Sequence, residues 1–138
     1  SRGASPGNRF EPGKKPMSTM APTIIFDENN ELFLITGSPG GSDIPAAILR
    51  VITGVIDFDL DIGEATMLPR IHKDWPYVGL EHERAVSRDI VRRLKSMGHK
   101  TEYENTIGST QSIHIINGTN NGFADLRRPN AGVSVQAN

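Results

Sequence analysis

The sequence predicts a layered α+β fold with a mostly antiparallel sheet and covering helices, and three observations carry that prediction. Two β-rich runs, 23–27 and 31–36, are separated only by the turn residues Glu28-Asn29-Asn30, which reads as a hairpin. Two segments with apolar residues at helical spacing, 43–58 and 87–97, follow in the interior of the chain. A further pair of short strands comes after them, so strands lie in hairpins with helices inserted between, which fits a parallel βαβ sheet poorly.

Each element has a local reason. TIIFD and ELFLIT are apolar at nearly every position, which predicts strands buried on two faces. In the first helix Ile44, Ala47, Ile48, Val51, Ile52, Val55 and Ile56 form the stripe, Ser42 or Asp43 is placed to cap it, and Gly54 permits a close contact. DIGEATM, 61–67, reads as one or two helical turns stopped before Pro69. The stretch 70–83 lacks helical period and carries Pro76 and Gly79, so it reads as extended, with a short strand near 79–83. In 87–97 Ser87 caps, Asp89 sits in the first turn, Ile90, Val91, Leu94 and Met97 form the stripe, and Gly98 stops the helix.

Residues 100–104 and 111–116 read as strands, the latter followed by the turn-rich NGTNNG, and a last short strand is expected at 132–136. Both long helices are expected on one face of the first hairpin, leaving its other apolar face in need of a cover.

The bulk properties narrow the function classes. A chain of 138 residues fits one domain with a core of its own. Fifteen basic residues against 16 acidic ones give a formal charge of −1, so no global field favours nucleic acid or an anionic membrane surface, and neither is expected as a partner. The absence of cysteine excludes disulfides and thiolate chemistry. No apolar run is long enough to span a bilayer. The first 16 residues hold three Pro and three Gly without apolar period and read as a connecting loop.

The candidate chemistry is sparse. In SPGGS, Gly40 and Gly41 precede a helix, where unpaired N–H groups and the positive end of the helix dipole can hold an anion. The alternative is a plain strand-to-helix turn. Lys and the third Gly of the phosphate-binding loops are missing. Ser18 and Thr19, adjacent before the first strand, either donate together to a carboxylate or close local backbone bonds. His72, His82, His99 and His114 show no metal-ligand spacing and read as structural, so neither metal nor cofactor is expected. Ser109-Thr110-Gln111 and the ion-paired turn around Asp125, Arg127 and Arg128 also read as structural, and no G-x-S-x-G elbow occurs.

Taken together and in order, PGKKPMSTMAPTIIF, LITGSPGGS, DIGEATMLPRIH, SMGHK, GSTQSI and ADLRRPNAGVSV resemble the C-terminal part of the small subunit of bacterial γ-glutamyltransferases, across residues 12–135. The resemblance implies an αββα N-terminal nucleophile hydrolase sandwich, of which 17–138 is an incomplete portion, made as a self-cleaving proenzyme. It implies that Ser18 and Thr19 bind the α-carboxylate of a γ-glutamyl group, Thr19 standing where the family more often has Ser. It implies that Gly40 and Gly41 form the oxyanion hole, while the other motifs look fold-forming. The family's nucleophile is a threonine in a Thr-x-His signature some tens of residues upstream. That signature is not among these residues, and Ser1 lies too close to Ser18 to replace it.

The chain alone is therefore expected to be inactive, and its partners to be the large subunit, the rest of the small subunit and a small γ-glutamyl substrate. The implied location is periplasmic or secreted. A related cephalosporin or glutaryl acylase, or a non-catalytic scaffold domain, are the competing readings.

Overall fold

The computed structural model describes residues 7, 9–74 and 79–134. A four-stranded sheet has the order β1-β2-β6-β7, formed by β1 (Thr23–Phe26), β2 (Leu32–Gly37), β6 (Gln111–Ile116) and β7 (Thr119–Ala124), with every neighbouring pair antiparallel. A three-stranded sheet contains β3 (Ile71–His72), β4 (Gly79–His82) and β5 (Lys100–Tyr103). The helices are α1 (Ile44–Asp57), α2 (Ile62–Met67) and α3 (Arg88–Ser96).

The first hairpin is closed by Asp27, whose Oδ1 accepts the N–H groups of Asn29 and Glu31 at 2.9 Å, while Asn30 takes φ 63°. Its register slips between Ile25 and Phe26, which leaves Phe33 as an extra residue in β2. That bulge turns Phe33 toward the core beside Leu34, where it meets the His114 ring edge-on at 4.7 Å.

The core lies between this sheet and α1–α2. Leu34, Val51 and Ala65 are fully buried, with Val55 and Ile62 around them. Gly54 explains the close fit of the two helices: a Cβ there would stand 2.9 Å from Ala65 Cβ. In α2, Asp61 and Glu64 form the reciprocal capping box that holds its first turn.

Several expectations need correction. The strands 100–104 and 111–116 do not form the second hairpin: β5 and β6 lie in different sheets, and β6 instead pairs with β7 across a turn of Asn117 and Gly118 alone, at φ 51° and 75°, so TNNGFA is a strand and not part of the turn. A two-residue turn with both positions at positive φ matches strand twist, and the polar residues then suit an edge strand. The last strand falls away accordingly: residues 132–134 have no regular structure, Val133 packs over Gly122, and 135–136 lie outside the described residues.

Next, α3 does not share a sheet face with α1. It has no buried residue and packs on β5, while α1 and α2 cover the larger sheet. Its nine residues carry the chain back so that β5 runs parallel to β4, a βαβ crossover that the hairpin-based expectation did not foresee. The second apolar face of the first hairpin is uncovered among the described residues, as expected of a face in need of a cover: Ile24 and Phe26 are 59% and 55% exposed there.

Candidate active site

One end of the four-stranded sheet gathers the segments singled out by sequence. β1 and β2 are antiparallel, with Thr23 opposite Thr36, so Ser18-Thr19 upstream of β1 and SPGGS downstream of β2 leave the sheet at the same end. Gln111 at the start of β6 pairs with Gly37 and with Ala124, which brings 108–110 and 125–127 there as well.

Gly40 and Gly41 are exposed and run straight into α1. Gly40 has φ 155°, and a Cβ on it would meet Ile44 Cγ1 at 3.2 Å; around Gly41 nothing lies within 4 Å of that position. Gly41 C=O accepts from Ile44 N–H at 3.3 Å, whereas the N–H groups of Gly40 and Gly41 find no acceptor among the described residues. Two backbone donors beside a helix N-terminus, open to solvent, can bind an anion or a developing oxyanion. Ser18 Oγ accepts from Met20 N–H at 3.3 Å, and Thr19 is half-buried beside it.

A buried polar frame supports this end. Ser38 Oγ accepts from Ser109 N–H at 2.9 Å and donates to Pro39 C=O at 2.8 Å, so the residue before the proline ties the glycine turn to the 108–110 loop. Gly108 makes this contact possible at φ 66°, since a Cβ there would lie 2.7 Å from Ala47 Cβ and 2.9 Å from Ser38 Oγ. Below it, Thr36 and Ser112 share a buried hydroxyl hydrogen bond at 2.8 Å across β2 and β6.

The frame centres on Arg70. Its Nη1 donates to Ile107 C=O, and its Nη2 to Thr66 C=O, Thr110 Oγ1 and Asp125 Oδ2, at 2.8–3.0 Å. Arg127 grips Glu83 through Nε and Nη2, both at 2.7 Å, and reaches Asp125 Oδ1 from Nη1 at 3.1 Å. Burial opposes charge on Asp125 and Glu83. The Arg127 N–H and the Arg70 and Arg127 guanidinium groups nevertheless hold Asp125 below its usual range, and Arg127 with the backbone N–H groups of Ile107 and Arg70 does the same for Glu83. Burial, and then repulsion from Arg127, lowers Arg70, while Glu83 and Asp125 outweigh burial to raise Arg127.

The PRIH, GSTQSI and ADLRRP motifs thus meet in one cluster that shapes the fold. The turn expected around Asp125 and Arg127 exists, but Arg70 and Glu83 were not anticipated in it. Nothing local marks an arginine as buried; the available signal was that PRIH and GSTQSI belong to the same resemblance.

The histidines separate. His114 is pushed down by burial, and its Nδ1 has no partner among the described residues. His82 Nδ1 lies 3.2 Å from Glu83 C=O. His72 Nε2 stands 2.8 Å from Asp74 Oδ1 and 3.5 Å from Asp43 Oδ1, a grouping that sequence spacing does not reveal.

This sheet, its two covering helices and the donor-bearing glycine turn define the class: the chain has the fold of the N-terminal nucleophile hydrolases, the mostly antiparallel sandwich component expected from sequence. A family model described as Gamma-glutamyltranspeptidase matches residues 2–135, and the chain belongs to that family.

It is 39% identical over 108 residues to a glutathione hydrolase proenzyme of Escherichia coli, a match covering 78% of this chain and 18% of the relative. It is 36% identical over 137 residues to the Bacillus subtilis glutathione hydrolase proenzyme, covering 96% and 23%. Among solved structures, a Helicobacter pylori gamma-glutamyltranspeptidase superposes with TM-score 0.82 at 35% identity over 90% of this chain and 69% of that one. A cephalosporin acylase from Bacillus halodurans, at 23% identity and TM-score 0.72, shares the fold, with 80% of this chain and 21% of that one covered. The chain spans about a fifth of the length of the curated relatives it matches. Among the described residues, no helix is long and apolar enough to cross a membrane.

Proposed function

We propose that this chain is part of the small subunit of a γ-glutamyltransferase that cleaves γ-glutamyl amides such as glutathione and passes the acyl group to water or an amino acid. Residues 17–138 are the C-terminal portion of its catalytic domain and 1–16 a connecting loop. The observation that carries this reading is the pair of N–H groups on Gly40 and Gly41, just before α1, that find no acceptor among the described residues.

In the reaction, a threonine hydroxyl supplied by chain outside these residues attacks the γ-glutamyl carbonyl, its own α-amine taking the proton. Negative charge gathers on the carbonyl oxygen, and the Gly40 and Gly41 N–H groups donate to it; one such donor is worth about 2.7–4 kcal/mol of barrier. The Ser18 and Thr19 hydroxyls donate to the α-carboxylate and fix the donor's position. The amine then leaves, and water or an amino acid releases the acyl group.

The relatives being proenzymes supports a partner large subunit and a further portion of the small subunit; a periplasmic or secreted location rests on the family resemblance alone. The Thr-x-His signature is not among these residues, so no hydrolysis is expected from them alone.

The test is Ser18→Ala with Thr19→Ala in the full-length enzyme. A rise in KM confined to donors that carry an α-carboxylate supports the reading; an unchanged rate on those donors refutes it.

A further inference from the structure

Asp43 is the N-cap residue of α1, yet its backbone is already helical, at φ −73° and ψ −17°, and its carboxylate accepts no cap hydrogen bond. An N-cap aspartate ordinarily turns its oxygen back onto the N–H groups of the first turn. Here Oδ1 instead stands 3.5 Å from Nε2 of His72 in β3. Glu81 of β4 is the cross-strand partner of His72. One donor atom from each of Asp43, His72 and Glu81 lies within 4.8 Å of the other two.

The His72 side chain is 8% exposed, so its ring is held in place with Nε2 turned toward these carboxylates. Asp74 adds a third carboxylate, 2.8 Å from the same nitrogen.

We propose that Asp43, His72 and Glu81 bind a divalent first-row transition-metal ion, with Zn²⁺ the ion their chemistry suits. Imidazole nitrogen and carboxylate oxygen are both zinc ligands, at bond lengths of about 2.0–2.2 Å. Ligand atoms around a tetrahedral ion then stand about 3.3 Å apart, close to the observed separation of Asp43 and His72. Two carboxylates neutralise the ion's charge, and water completes the coordination. Asp74 competes with the ion for Nε2, orienting the ring before the ion binds.

The three ligands come from the first residue of one helix and from two strands of the smaller sheet. Binding therefore ties the start of α1, two residues beyond Gly41, to β3 and β4. It rests on none of the catalytic assignments above.

The test uses the full-length enzyme freed of metal with a chelator, titrated with ZnCl₂ by calorimetry and with CoCl₂ by visible absorption. One equivalent binds per chain, Co²⁺ gives a d–d band, and excess Zn²⁺ raises the Tm by about 5 °C. His72→Asn and Glu81→Gln each weaken Zn²⁺ binding about tenfold or more and remove the band; Asp74→Asn keeps both.

Circular dichroism checks the fold of each variant, and Glu81→Gln, nearly isosteric, carries the decision if His72→Asn is misfolded. Absence of stoichiometric binding overturns the proposal and leaves an ion-paired histidine. Binding unchanged in Glu81→Gln and His72→Asn places the ion elsewhere and overturns it equally.

Discussion

Arg70 Nη2 and Asp125 Oδ2 stand 2.8 Å apart with 1% and 0% of their side chains exposed, and this pair joins three segments distant in sequence. Asp125 also accepts the N–H of Thr110, and Arg70 also donates to the carbonyls of Thr66 and Ile107. The loop 107–110, which buttresses Ser38 beside the glycine turn, is therefore fixed from beneath by charge. Such a pair adds little net stability compared with apolar packing, but losing one partner strands the other in a dry site.

Asp125→Ala should accordingly destabilise the protein by about 3–5 kcal/mol. Urea unfolding of the variant checks this. A double variant, Arg70→Met with Asp125→Leu, should lose less than the two single changes added together; strict additivity would show that the groups are not coupled.

Acid should unfold the protein through the same frame. The folded values of Asp125 and Glu83 lie below their ordinary 3.8 and 4.5. A depressed carboxyl contributes stability that is present above its unfolded value and lost as pH falls through the folded one. The stability curve should thus fall below about pH 4.5, and Glu83→Gln should flatten that fall while lowering stability at pH 7. An acid limb identical in parent and variant would remove Glu83 from the cause.

Gly54→Ala should cost about 1–3 kcal/mol, although alanine is the better helix former by about 1 kcal/mol. The new methyl would meet Ala65 Cβ at 2.9 Å and push α1 from α2. A thermal midpoint at or above the parent's would contradict that packing.

At the glycine turn the two residues should respond unequally. Gly40→Ala in the full-length enzyme meets Ile44 and an unfavourable φ, whereas Gly41→Ala meets nothing within 4 Å and keeps its N–H. If both amides face the oxyanion, Gly40→Ala should lower kcat by about 10²-fold, with a much smaller change for Gly41→Ala. Steady-state kinetics decide it, and equal losses would argue against a backbone cause.

Isolated from its partners, the chain should bind a hydrophobic dye through the sheet face bearing Ile24 and Phe26. Ile24→Ser with Phe26→Ser should reduce the fluorescence. An isolated chain that binds no dye would mean this face is closed by other means.

Much was legible because it is local. The stripe of α1, the helical turns of 61–67 and the turn at 28–30 all depend on residues within a few positions of one another, and each formed where its local pattern put it, although the side-chain cap expected from Ser42 or Asp43 did not, since α1 has no side-chain cap hydrogen bond. The boundary at Asn117-Gly118 was misread because turn residues and polar edge-strand residues have the same composition; only pairing with β6 distinguishes them. α3 was placed on the wrong sheet because an amphipathic stripe states that a face can be buried, without saying against what; Ile90 and Met97 remain exposed. Ser18, Thr19, Gly40 and Gly41 were named through motif order, since their residue types alone fit ordinary turns.

By itself the sequence determined the first hairpin, the helix stripes, the glycine turn before α1 and the family to which the chain belongs, because short-range periodicity and ordered motifs encode them directly. Tertiary structure alone decided that Arg70 lies buried against Asp125, that β5 runs parallel to β4, and that Asp43, His72 and Glu81 converge. Each of these joins residues 9 to 55 positions apart, and at such separations it is the path of the chain through the sheets, and no property of neighbouring residues, that brings charges together.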